Sequence, residues 1–81
     1  MLRFMKIEYT DYAEMKISKR NLSKNQIENV VKNSDKISEG KKGRKISQKL
    51  EGRYLLRVVF EQYGNTHKVI MAYYSEPERY R

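Results

Sequence analysis

Residues 54–60 read YLLRVVF, and strand alternation sorts them into two sets: Tyr54, Leu56, Val58 and Phe60 on one side, Leu55, Arg57 and Val59 on the other. A strand at the rim of a sheet alternates apolar with polar residues, whereas one that is apolar on both sides belongs in the middle. That requirement constrains the fold more than any other stretch, because a central strand needs partners on both edges. The partners are at hand. Residues 45–50 and 67–74 also have strand character, and the Glu51-Gly52 turn and the 62–66 loop, with Gly64-Asn65, separate the three segments. The expectation for this half is a three-stranded antiparallel meander.

The first half carries helical punctuation. Met5, Ile7 and Tyr9 alternate with Lys6 and Glu8, the period of a strand with one buried face. Asp11 is then expected to cap a short helix, with Glu14 in the capping-box position and an end near Arg20 and Asn21. Ser23 and Gln26 repeat that pattern. Leu22 and Ile27 hold the two hydrophobic-staple positions, and Ile27, Val30 and Val31 share one face of a second helix that ends near Asn33 and Ser34. The predicted fold is α+β, a single domain over residues 1–81: strand, two short helices, then the meander, with both helices on one face of the sheet. The other face becomes a shallow concave surface from which Arg57 projects.

Composition removes several kinds of chemistry. With no Cys and one His in 81 residues, the chain has no disulfide framework, no thiolate and no ordinary zinc set, so no metal and no small-molecule cofactor is expected. His67 reads as an ordinary hairpin residue. No apolar run approaches the roughly 20 residues that span a bilayer, and no secretory segment follows Met1, which predicts a cytoplasmic protein with no membrane partner. Either Met1 or Met5 reads well as a start.

Positive charge is concentrated along the chain. Residues 1–40 carry eight Lys/Arg against six Asp/Glu, residues 41–57 seven against one, and residues 58–81 three against three. Lys41, Lys42, Arg44, Lys45 and Lys49 lie in the middle block, with Gly40 and Gly43 bracketing the first two. Lys45, Ser47 and Lys49 would share one side of a strand, setting the two cations about 7 Å apart, close to the repeat of a phosphate backbone. Phosphates are the natural partner of such a patch. The plainer reading is that lysines on an edge strand discourage aggregation. Seven Tyr with no Trp suit stacking on bases as well as packing. Tyr9 and Tyr54 fall on apolar alternations and read as packing residues, while Tyr73, Tyr74 and Tyr80 are open to stacking.

This order of strand, two helices, basic turn and meander resembles the RelE/ParE-like toxin superfamily, in particular its small BrnT-related branch. The run YAEMKISKRNL at residues 12–22 is similar to that branch's first helix, with Ala13 and Arg20 matching, Ile17 and Leu22 as apolar equivalents and Lys16 keeping a charge. The blocks LLRVVFEQ and KVIMAYYS resemble its Arg-Val-Val strand and the hydrophobic strand that follows. The resemblance implies a toxin that binds messenger RNA, often on the ribosome, and cleaves it without a metal, neutralised by a separately encoded antitoxin. It implies Arg57 as charge stabiliser, Arg20 and Lys16 as further cations, and Tyr73, Tyr74 or Tyr80 as stacking group or proton donor. Two positions depart from the pattern. Tyr12 stands where the family often has His, and residues 73–81, YYSEPERYR, place Glu76, Pro77 and Glu78 where many RelE-like enzymes carry His-Arg-Arg. Binding therefore fits better than catalysis. The alternatives are a non-catalytic nucleic-acid or protein-binding module on the same fold, and a ParE-like inhibitor of a protein target.

Overall fold

The computed structural model describes residues 6–76; Met5, Pro77, Glu78 and Tyr80 lie outside them. In chain order come β1 (Lys6–Tyr9), α1 (Asp11–Lys19), α2 (Lys24–Lys32), β2 (Lys36–Glu39), a 3-10 turn (Lys41–Gly43), β3 (Lys45–Glu51), β4 (Tyr54–Tyr63) and β5 (Thr66–Ser75). They form an α+β fold around one five-stranded mixed sheet in the order β1-β5-β4-β3-β2. Strand β1 runs parallel to β5, and every other pairing is antiparallel. The doubly apolar strand is central, as its pattern requires.

The meander has four strands, not three. Strand β2 escapes the sequence reading because KISE holds a single apolar residue, and Ile37 is itself 55% exposed, so no period marks it. Glu39 pairs with Lys45 and Lys36 with Gln48, which fixes β2 on the outer edge of β3. The helix caps are half as expected. Ser23 accepts from the Gln26 amide at 3.1 Å while the Gln26 side chain accepts from the Ser23 amide at 2.9 Å, a complete capping box. For α1, however, the cap is Thr10, whose hydroxyl accepts from the Ala13 amide at 3.0 Å; Asp11 is already helical, and Glu14 pairs with Lys24 at 3.2 Å.

Both helices lie on one face. Ala13 and Ile17 of α1, Leu22, and Ile27, Val30 and Val31 of α2 pack against Leu56, Val58, Val69 and Ala72 of the sheet, with Ile7 and Tyr9 of β1 at the margin. Burying each large aliphatic side chain here stabilises the fold by about 1.5–3 kcal/mol. A bulge in β5 decides which residues join them. Val59 pairs with Met71 and Phe60 with Val69, so Ile70 is the extra residue and the alternation of β5 reverses across it. Val69 and Ala72, three apart, both reach the core.

Candidate nucleic-acid interface

Directly paired residues on neighbouring strands share a face, so the register assigns every strand side chain to a side. Leu56 and Val58 mark the helix face. The opposite face carries no helix among the described residues, and its side chains form rows across the strands. Lys36, Gln48, Arg57 and Tyr73 make one such row from β2 to β5, with steps of about 4.8 Å between strands. Ser38, Ile46, Val59 and Met71 form a mostly apolar row beside it. Arg57 and Gln48 are each only 6% exposed, recessed between the rows that flank them. Arg57 Nη1 donates to the Tyr73 hydroxyl at 3.0 Å, and the guanidinium carbon lies 5.7 Å from the Tyr73 ring centre.

Toward the β2–β3 loop this face becomes polar. Glu61 stands opposite Lys68 and accepts two hydrogen bonds, from Tyr63 Oη at 2.7 Å and from Arg44 Nε at 3.1 Å. The Tyr63 bond, then that of Arg44, holds the Glu61 carboxyl below its ordinary value, and the same carboxylate raises the Tyr63 phenol. The loop tip is tied back on itself, the Gly40 amide donating to the Arg44 carbonyl at 2.7 Å and the Arg44 amide to the Lys41 carbonyl at 3.2 Å. Lys41 and Lys42 are left exposed at the rim.

Charge divides unequally between the two sides. Among the described residues, Lys6, Lys36, Arg44, Arg57 and Lys68 stand on the helix-free face and Lys41 and Lys42 in the exposed turn at its rim, seven cations against the two carboxylates of Glu8 and Glu61. On the helix side, among the described residues, Lys16, Lys19, Arg20, Lys24, Lys32, Lys45 and Lys49 meet Asp11, Glu14, Glu28, Asp35, Glu39 and Glu51, seven against six, with Arg53 in the β3–β4 turn and Glu76 beyond β5 counted on neither side. The excess of positive charge therefore belongs to one face.

The expected site is only partly assembled. Arg44 joins the face that holds Arg57 and Tyr73 through Glu61, with Lys41 and Lys42 in the exposed turn before it, but Lys45 and Lys49 pair with Phe60 and Leu56 and so sit on the helix side, flanking the fully buried Ser47. Lys49 is also neutralised by Asp35 at 3.8 Å, and Arg44 by Glu61. The five cations are thus not one patch, because strand alternation and the loop divide them. The four residues expected to act together are separated as well. Arg57 is on one face, while α1 packs Lys16 and Arg20 on the other side; Lys16 lies over the Tyr12 ring and Arg20 Nη1 donates to the Ala72 carbonyl at 2.7 Å.

Tyr74 is on the helix side too, accepting from Gln26 Nε2 at 3.1 Å, whereas Tyr73 takes the place beside Arg57. Unbroken alternation from Val69 would have put Tyr74 there; the bulge at Ile70 exchanges the two. Tyr54, expected to pack, is half exposed and meets the Tyr74 ring edge-on at 6.3 Å. Four members of the site left no mark in the sequence reading: Lys36, because β2 itself left none, and Gln48, Tyr63 and Lys68, because none of them stands out until the register is known.

Among the described residues no group of His, Cys, Asp and Glu could hold a metal ion, and no helix is long and apolar enough to cross a membrane. Comparison with protein-family models, with characterised proteins and with solved structures yields no match to this chain.

Proposed function

We propose that this chain is an RNA-binding protein of the RelE/BrnT-like toxin type, that it meets RNA with its helix-free sheet face, and that it does so in the cytoplasm, on the ribosome. The observation that carries the reading is the segregation of charge, with seven cations and two carboxylates on the face and rim that no described helix covers. A polyanion gains from such a face by releasing condensed counterions, and the apolar row of Ile46, Val59 and Met71 offers contacts that a phosphate chain alone would not use. A cognate antitoxin of acidic character would compete for the same surface.

Binding, not cleavage, is the activity favoured. Of the groups expected to do the chemistry, Arg57 and Tyr73 are adjacent, but Lys16, Arg20 and Tyr74 are on the other side of the sheet. A charge stabiliser and a phenol without a further base make an incomplete set for attack by a 2'-hydroxyl.

The test is equilibrium binding of RNA over a range of salt. Each phosphate contact contributes a slope of about −0.7 in log affinity against log salt for a single strand. Replacing Lys41, Lys42 and Lys68 together by Ala is expected to lower affinity and to make that slope shallower by about 2. An unchanged affinity and slope in the triple variant would remove this face as the RNA surface. Incubation of RNA with metal-free protein, alone and with ribosomes, separates the activities: intact RNA under conditions of full binding leaves a binding protein, and cut RNA restores the nuclease.

A further inference from the structure

Tyr63 is the most exposed of the large hydrophobic side chains among the described residues, 60% accessible at the end of β4, yet its polar end has a partner. Its hydroxyl donates to Glu61 at 2.7 Å, and Glu61 is itself held by Arg44 at 3.1 Å. An aromatic ring tethered at its polar end keeps its flat faces open to solvent while losing little freedom when something lies against it. Arg44 shares the Glu61 carboxylate with Tyr63, Lys68 stands opposite Glu61, and Lys41 and Lys42 belong to the turn that leads into Arg44.

We propose that Tyr63 is a stacking platform for one unpaired base, which makes the ligand of this face single-stranded RNA and not duplex. This rests on the RNA reading above and narrows it. A single strand can place a splayed base on an anchored ring while its neighbouring phosphates reach the cations beside it, the combination by which sequence-tolerant single-strand surfaces work. In a duplex both faces of every internal base are already stacked, so the ring has nothing to add. The other exposed tyrosines do not offer the same. Tyr54 and Tyr74 turn edge-to-face toward each other on the helix side, and Tyr12 of α1, on that side as well, has Lys16 over its ring.

The chain has no Trp, so Tyr63→Trp places a single indole, excited apart from the remaining tyrosines, at the proposed contact. Its emission is expected to be quenched on adding a mixed-sequence single-stranded RNA and to change little with the same RNA annealed to its complement. In parallel, Tyr63→Leu should weaken single-strand binding roughly tenfold with an unaltered salt slope, since stacking releases no counterions, and Tyr63→Phe should retain most of the affinity. Binding of the single strand without quenching, or equal losses for single strand and duplex in Tyr63→Leu, would overturn the proposal while leaving RNA binding in place. Wild-type protein that binds neither RNA at low salt would overturn both. Melting temperatures of the variants show whether a loss reflects unfolding.

Discussion

Lys42 occupies the left-handed region, with φ 60° and ψ 36°, and is followed by Gly43 at φ 74°. For a residue with a Cβ that conformation costs roughly 1–2 kcal/mol, and Gly or Asn would be the usual choice. Lys42 is exposed, so no core packing offsets the strain. Lys42→Gly is therefore expected to raise stability, by up to about 1 kcal/mol once the greater freedom of glycine in the unfolded chain is subtracted, and at the same time to weaken RNA binding. Urea denaturation and RNA titration of the same sample check the two halves; a destabilised variant would mean that the tip is not strained.

A second residue gives a pH signature. Burial, with the charges of Glu28 and Glu14 adding to it, pushes the Tyr9 phenol from 10.0 up to about 12, and Lys24 lies 4.8 Å from its ring centre. The neutral phenol is the form favoured by folding, so this contribution is whole below the unfolded value and is lost as pH rises toward the folded one. Ultraviolet titration should find a tyrosine step near pH 12 from Tyr9, beside the upward shift that Glu61 gives Tyr63. Tyr9→Phe should abolish that late step and flatten the fall of stability between those two values.

At the scale of elements, the sequence was most legible where local chemistry is self-contained. The α2 capping box lies wholly within four residues, Ser23 to Gln26, and needs no tertiary partner. Ser23→Ala is expected to cost about 1 kcal/mol in thermal or chemical denaturation, with a similar cost for Thr10→Ala at α1 and a smaller one for Asp11→Ala. A larger loss at Asp11 would return the cap to that residue. At α1 the cap is Thr10 and not Asp11, because both residue types cap well and only the turn of the chain out of β1 chooses between them. Strand β2 could not be read at all, since four residues with one exposed isoleucine depend on the β3 edge for their conformation.

At the scale of the whole molecule, net charge and charge placement make different predictions. The formal excess of +8 is a property of the chain; the described residues assigned to a side contribute seven cations against two carboxylates on the helix-free face and its rim and seven against six on the helix side. Lys36→Glu with Lys68→Glu, and Lys19→Glu with Lys32→Glu, lower the net charge equally. The first pair is expected to abolish most RNA binding and the second to change it by no more than the general loss of attraction, which low-salt titration measures. Equal effects would make the whole protein, and not a face, the attractant. The basic block that stands out along the chain was thus the wrong unit. Lys45 and Lys49 belong to it in sequence and to the helix side in space, whereas Lys36 and Lys68 lie outside it and join the basic face.

By itself the sequence determined the fold class, the central strand, both helices and the face they cover, because alternation, the helical stripe of α2 and its cap are short-range properties of neighbouring residues. Tertiary structure alone decided the site. Which side chains meet across a sheet depends on register, and a single extra residue at Ile70 moved Tyr73 to Arg57 and Tyr74 away from it. A bulge of that kind arises from how two strands match over their whole length, a long-range fit that no window of the sequence contains.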